Sequence, residues 1–107
     1  MYDYGYVKVG RSIANWHWYK DQNTFRVYMH LLLKANYTDM NYRGRTIKRG
    51  QVIISRNKIA EDLNLSEQQV RTAIEHLKST KDITIEKCVR YVIITINSYN
   101  IFDFTTN

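Results

Sequence analysis

Residues 55–78, with the sequence SRNKIAEDLNLSEQQVRTAIEHLK, constrain the fold more than any other stretch of the chain. Ser55 is a candidate N-cap for one helix, and Asn64 is a residue type that ends helices in the left-handed conformation. Ser66 and Gln69 then form a capping box of the S-x-x-Q type, which marks the start of a second helix. The pattern predicts two helices joined by a turn of three residues.

The second of these helices, predicted over residues 66–78, has an apolar face and a polar face. The apolar residues recur at i, i+3, i+4 and i+7, as expected of a stripe that packs on a core; they are Val70, Ala73, Ile74 and Leu77. The opposite face carries Gln68, Arg71, Thr72 and Glu75, with Gln69 on its flank. Glutamine can pair with adenine, arginine with guanine, and the threonine methyl can contact thymine in a major groove. The alternative is an ordinary amphipathic helix with a solvated polar face.

The flanking segments extend these helices to a complete domain. An apolar, β-branched strand, QVIIS, precedes them, and strands at residues 83–87 and 91–96 with a turn between them follow. Two further helices are predicted earlier, at residues 10–19 and 24–35. Strand, helix-turn-helix and hairpin in this order are typical of a winged helix. The predicted fold class is α+β, a winged helix-turn-helix of about four helices with a small antiparallel sheet, in a single domain over residues 1–107.

The N-terminal third leaves several alternatives open. Residues 2–9 alternate as in a short edge strand. Trp16, Trp18 and Tyr19 are either a stacking platform for single-stranded bases or, as we expect, part of the core. The helix at residues 24–35, capped by one of Asp21, Asn23 and Thr24 and ended by Asn36, is apolar almost all round. It is therefore predicted to be buried, in part by another protein chain.

The chain carries a formal net charge of +6, and its cations are clustered. No acidic residue lies between Asp39 and Glu61, whereas that interval contains Arg43, Arg45, Lys48, Arg49, Arg56 and Lys58. The tip of the last hairpin adds Lys87 and Arg90. Cations grouped beside a helix-turn-helix are the electrostatic footprint of a phosphate backbone partner. A solvated basic loop is the alternative.

Several classes of protein are disfavoured by composition. No apolar run approaches the roughly 20 residues needed to span a bilayer, so we expect no membrane partner. A single cysteine, Cys88, fits a reducing cytoplasm and no disulfide framework. Neither metal-ligand spacing nor a catalytic constellation is evident, so we expect no cofactor, no metal and no enzymatic activity.

The ordered segments GYVKVGRSIANWHWYKD, LLLKANY, IKRGQVIIS, IAEDLNLSEQQVRTAIEHLK and VIITINSYNIF resemble one family over roughly residues 5–102. It is the N-terminal winged-helix domain of phage and prophage replication initiators, the replisome organisers related to DnaD-type primosomal proteins. The resemblance implies cytoplasmic binding of double-stranded DNA at a replication origin. It also implies recruitment of replication proteins by a further C-terminal region, which this sequence, ending at Asn107, does not contain. Self-association through the apolar second helix and the N-terminal tyrosines is a further expectation.

The leading hypothesis is therefore a DNA-binding domain of a replication initiator. Its candidate DNA-binding residues are Arg56, Lys58, Ser66, Gln68, Gln69, Arg71, Thr72, Lys87 and Arg90, with Arg43, Arg45, Lys48 and Arg49 as supporting cations. One alternative is a transcriptional regulator with the same fold, because site choice and not fold decides the process. Another is a protein-interaction winged helix that does not read DNA, which the acidic residues Glu61, Asp62, Glu67 and Glu75 favour.

Overall fold

A computed structural model of the chain describes residues 7–89 and 91–97. Within these residues the fold is α+β, with three α-helices, a short 3-10 helix and five strands. The helices are α1 (Gln22–Lys34), α2 (Arg56–Leu63) and α3 (Glu67–Ser79), and the 3-10 helix is Arg11–Asn15. The strands are β1 (Met40–Tyr42), β2 (Arg45–Ile47), β3 (Gln51–Ile54), β4 (Ile83–Lys87) and β5 (Val92–Ile96). No helix in the described ranges is long and apolar enough to cross a membrane.

The strands form two small antiparallel sheets. One is the β1–β2 hairpin, and the other has the order β3-β5-β4. In the larger sheet Val52 pairs with Ile94, and Ile85 lies opposite Ile94 from the other side, so the sequence-distant β3 is joined to the last hairpin. Val52, Ile83, Ile94 and Ile96 point into the core. The core therefore lies between this sheet and the helices.

The helices contribute the remainder of the core. α1 packs against α3 through Val27, Tyr28, Leu31 and Leu32, all fully buried. The stripe predicted for α3 is buried as expected, as is Ile59 on α2. Burial raises the pKa of the Tyr28 phenol, and the negative charge of Asp82 acts in the same direction. The apolar interior thus fixes how α3 is held and which of its faces is left exposed.

The predicted start and stop signals of α2 and the predicted start signal of α3 are confirmed. The Ser55 hydroxyl accepts from the Lys58 backbone N–H at 3.1 Å, and α2 ends at Asn64 in the left-handed conformation (φ 58°). Ser66 and Gln69 form the predicted reciprocal capping box. These signals depend on residues a few positions apart, so the local sequence determines them.

The predicted first helix over residues 10–19 is wrong, and the described residues contain three α-helices instead of four. Only Arg11–Asn15 form a 3-10 helix, and Trp16 leaves it in an extended conformation (φ −70°, ψ 140°). In an α-helix residues 16 and 18 would lie about 200° apart around the axis. Both indoles instead contact the body of the protein: Trp16 lies 4.7 Å from the Tyr28 ring, and the Trp18 N–H donates to Thr80 Oγ1 at 2.9 Å. Tertiary contacts therefore override the helical pattern. Trp16 and Trp18 pack half-buried against the core, as the core interpretation expects. The same interpretation is wrong for Tyr19, whose side chain is exposed.

The second predicted helix is confirmed with shifted ends. Asp21 is its N-cap, because its carboxylate accepts from the Thr24 N–H at 3.1 Å. Asn36 does not end the helix in a left-handed conformation as predicted. Its backbone N–H donates to the Gln51 carbonyl, and its carbonyl accepts from the Gly50 N–H, so Asn36 pairs with the chain entering β3. α1 is mostly buried within this chain, although Leu33 is exposed.

Some predictions fall on residues outside the described ranges. Residues 2–6 of the predicted edge strand are among them, as are Arg90 and residues 98–102 at the end of the segment VIITINSYNIF. Residues 7–9, the remainder of the predicted edge strand, are not a strand.

Candidate nucleic-acid interface

The exposed face of α3 is presented by the way the helix begins. The Ser66 N–H donates to Gln69 Oε1 at 2.8 Å, and the Gln69 N–H donates to Ser66 Oγ at 3.0 Å. Each side chain thereby satisfies a backbone donor at the helix start, where four N–H groups lack helical partners. Two of the candidate site residues therefore build the first turn of α3, and their polar atoms are engaged with each other.

Gln68 and Thr72 act as a pair. The Gln68 side-chain amide donates to Thr72 Oγ1 at 3.2 Å, one helical turn away, and both residues are exposed. The bond uses one N–H of the Gln68 amide, and among the described residues the Gln68 Oε1 and its second N–H have no further hydrogen bond. An amide with an acceptor and a donor available is the group that pairs with adenine in a major groove.

Arg71 projects from the same exposed face. Among the described residues it has neither an ion-pair nor a hydrogen-bond partner. Glu75, one turn further on, faces Lys78 at 3.6 Å, which partly offsets its negative charge. The middle of α3 therefore carries, beside the Gln68–Thr72 pair, an exposed guanidinium that no described residue engages.

The two candidate cations of α2 differ in their surroundings. Lys58 Nζ lies 3.0 Å from Asp62 Oδ1 and 3.8 Å from Glu61 Oε1, and the hydrogen bond to Asp62 raises the pKa of Lys58. The same contacts from Lys58 lower the pKa of Asp62, with a smaller contribution from His30 at 3.1 Å. Arg56 is half-buried, and its buried Nε has no hydrogen-bond partner within the part of the chain described. The charge of the exposed Lys58 is thus partly compensated by two carboxylates of its own helix.

The tips of the two hairpins lie side by side. In the turn of the β4–β5 hairpin the Cys88 N–H donates to the Tyr91 carbonyl at 2.9 Å. The Tyr91 ring contacts the Tyr42 ring at 5.6 Å and 84°, and Arg45 forms an ion pair with Glu86. That guanidinium lowers the pKa of Glu86, chiefly through the hydrogen bond it donates. Hairpins separated by about forty residues of sequence therefore share one surface.

The remaining supporting cations are distributed unevenly around this surface. Lys87, Lys48 and Arg43 are exposed, and Arg43 lies over the Tyr42 ring with its guanidinium carbon 5.3 Å from the centroid. The Arg49 guanidinium instead donates to the Tyr37 carbonyl at 2.8 Å. The cationic interval predicted from sequence thus separates into exposed charges and charges held within the chain.

Sequence reasoning missed the group of side chains around His76. Its Nδ1 lies 2.8 Å from Thr24 Oγ1 and 3.4 Å from Asp21 Oδ2, and its ring stacks on Trp18 at 4.4 Å and 9°. A groove of about 290 Å³ lies between the start of α1 and this side of α3. The spacing of Gln68, Thr72 and His76 at intervals of four was the available signal. Trp18 and the start of α1 thus partly cover His76 on this side, whereas Gln68 and Thr72, nearer the start of α3, are exposed.

Comparison of the chain with protein-family models, with curated protein sequences and with solved structures gives no match. Within residues 7–89 and 91–97 no group of three or more histidine, cysteine or acidic side chains is placed to hold a metal ion. The function is therefore argued from the geometry of the exposed face and the hairpins.

Proposed function

We propose that the chain is a winged-helix domain that binds double-stranded DNA and that α3 enters the major groove. The observation that carries the proposal is Arg71, which has no partner among the described residues and lies in the middle of an exposed face whose opposite side packs into the core. The order of elements supports the winged-helix assignment, since β3 precedes α2 and α3 and pairs with the β4–β5 hairpin that follows them. In this assignment the β4–β5 hairpin is the wing.

The proposal assigns different roles to the site residues. Arg71 and the Gln68–Thr72 pair contact base edges, and each good bidentate contact would contribute roughly 1–3 kcal/mol of discrimination between bases. Arg56 at the start of α2 and Lys87 and Arg90 at the wing contact phosphates. Ser66 and Gln69 contribute by holding the first turn of α3, where backbone N–H groups also favour a phosphate. Lys58 contributes less because Asp62 compensates its charge.

The proposed process is initiation of replication at a phage-type origin in the cytoplasm. Its support is the resemblance carried by the five ordered sequence segments, and the proposed role is that of a binding domain without enzymatic activity. Regulation of transcription would use the same surface. Mapping of bound sites separates the two: repeats within an origin support initiation, whereas operators at promoters support regulation.

A salt titration of DNA binding tests the proposal. With about six phosphates neutralised, the slope of log K against log salt concentration should be near −5.

Arg71→Ala should abolish preference for a selected site while changing binding to random duplex much less. Arg26→Ala, which removes an exposed charge from α1, is the matched control and should bind as the wild type. Absence of binding at low salt, or binding indifferent to salt, would contradict the proposal.

A second candidate function is protein interaction without DNA. The observation that favours it is a set of exposed apolar side chains from the last turn of α1 to the start of β1: Leu33 is 62% exposed, Tyr37 54% and Met40 56%. Exposed apolar side chains at an interface lose contact with water when a partner binds. Under this alternative Leu33→Ser would disrupt self-association measured by sedimentation, and Arg71→Ala would change no interaction.

A further inference from the structure

The β1–β2 hairpin turns through two residues in the left-handed conformation. Arg43 has φ 52° and Gly44 has φ 82°, between the paired residues Tyr42 and Arg45. Two positive φ values at the centre of a two-residue hairpin are the pattern of a type I′ turn, whose preferred sequences are Asn-Gly and Gly-Gly. The glycine matches that preference. Arginine at the first position is unfavourable for the turn, because its Cβ is crowded in this conformation.

The arginine is nevertheless held in a defined place. The Asn41 carboxamide oxygen accepts from the Gly44 N–H at 3.1 Å, and the Arg43 guanidinium lies over the Tyr42 ring. Tyr42 in turn packs edge-on against Tyr91 of the other hairpin. The tip of the β1–β2 hairpin is therefore buttressed against the turn of the β4–β5 hairpin.

The two arginines of this turn differ in charge compensation. Arg45 forms an ion pair with Glu86 and so joins the two hairpins. Arg43 is exposed, and no carboxylate of the described chain pairs with it. Strain at a non-glycine residue persists where the surrounding structure fixes it, and an observed outlier of this kind points to a role for the side chain.

We propose that the Arg43–Gly44 tip is a second DNA-contacting hairpin, in which the Arg43 guanidinium binds a backbone phosphate beside the one held by the β4–β5 hairpin. The inference rests on the proposed DNA binding and deepens it. Arg45 does not contact the DNA in this arrangement. Its ion pair with Glu86 holds the two hairpin tips together, so that both contact the same DNA strand. A planar guanidinium matches phosphate oxygens in a bidentate geometry.

Two substitutions at Arg43 test this role. Arg43→Asn supplies the residue that the turn prefers, so the melting temperature should rise by a few degrees. DNA affinity should nevertheless fall about three- to tenfold at low salt, and the magnitude of the salt slope should decrease by about one. Arg43→Lys keeps the charge and the backbone strain, so it should retain the slope and the melting temperature of the wild type.

The matched control is Arg26→Asn, the same substitution on the exposed side of α1. If Arg43→Asn binds as tightly as the wild type while Arg71→Ala still loses site preference, the second contact is excluded and the proposed function stands. Equal weakening by Arg43→Asn and Arg26→Asn also overturns the inference, since net charge alone would then explain it. If the wild type binds no duplex at low salt, both the proposed function and this inference fail.

Discussion

Asn64 has a backbone conformation that few residue types tolerate. Its φ of 58° ends α2, and its N–H donates to the carbonyls of Ala60 and Glu61 before Leu65 turns back toward Ala60. The left-handed conformation is open to glycine and, at modest cost, to asparagine. The spacing between α2 and α3 therefore depends on this single residue.

Replacing Asn64 tests this dependence. Asn64→Ala should lower the free energy of unfolding by about 1 kcal/mol, because a Cβ without a compensating polar group is strained at positive φ. Asn64→Gly should stay within a few tenths of a kcal/mol of the wild type, since glycine adopts this φ without strain. Urea denaturation followed by circular dichroism measures both. Equal stability of the alanine and glycine variants would show that the backbone conformation is not limiting.

At the scale of single helices and strands, the features that depend on residues close in sequence were predictable. The Ser55 and Asn64 caps, the Ser66–Gln69 box and the strand Ile83–Lys87 were correctly predicted because their determinants lie within a few residues. Long-range contacts were not predictable in the same way. The end of the first helix at Trp16 depends on Tyr28 and Asp82, which lie elsewhere in the chain.

The side-chain pairs of the candidate site also differ in whether their partners are close or distant in sequence. The pairing of Gln68 with Thr72 and of Lys58 with Asp62 is at spacing i, i+4 and was accessible in the sequence. The ion pair of Arg45 with Glu86 spans 41 residues, so no local pattern indicated that Arg45 is compensated. Counting cations along the sequence therefore overstated the number available to a phosphate backbone.

Substitution of Asp62 on α2 is expected to increase DNA affinity. Asp62→Asn removes the nearer of the two carboxylates around Lys58 Nζ, at 3.0 Å, and so makes that ammonium more available to a phosphate. DNA affinity at low salt should rise on the order of threefold, and the salt slope should steepen by about one. Fluorescence anisotropy with a labelled duplex is the measurement.

Glu61→Gln is the matched control for this substitution. Glu61 lies 3.8 Å from the same ammonium and its side chain is 77% exposed, so its removal frees Lys58 less. A gain in affinity that is no larger for Asp62→Asn than for Glu61→Gln would contradict a phosphate contact by Lys58.

At the scale of the whole molecule, the two sheets are joined where their hairpins meet. The ion pair of Arg45 with Glu86 and the contact of Tyr42 with Tyr91 connect the β1–β2 hairpin to the larger sheet. The ionised carboxylate of Glu86 is the form that accepts from the Arg45 guanidinium, so this contact between the two hairpins is sensitive to acid.

The direction of this pH dependence follows from the pKa of Glu86. Since that pKa in the folded chain lies below its ordinary value of 4.5, the ion pair contributes at higher pH and is lost as pH falls through the folded value. An NMR titration of the side-chain carboxyl carbon should have its midpoint below 4.5. In Arg45→Met the midpoint should move up to the ordinary value. A midpoint that the substitution leaves unchanged would mean that Arg45 is not the cause.

The tryptophans have a consequence for how the chain folds. The sequence contains two, Trp16 and Trp18. The Trp16 indole N–H donates to Asp82, 66 positions later in the chain, and the Trp18 indole N–H donates to Thr80, 62 positions later. Both acceptors lie in the segment that follows α3. Closing a loop of that length costs entropy before its contacts form, so we expect these two hydrogen bonds to form late in folding. We therefore expect intrinsic fluorescence to follow the docking of the N-terminal segment, including the packing of Trp16 on Tyr28, whereas far-ultraviolet dichroism follows formation of the helices.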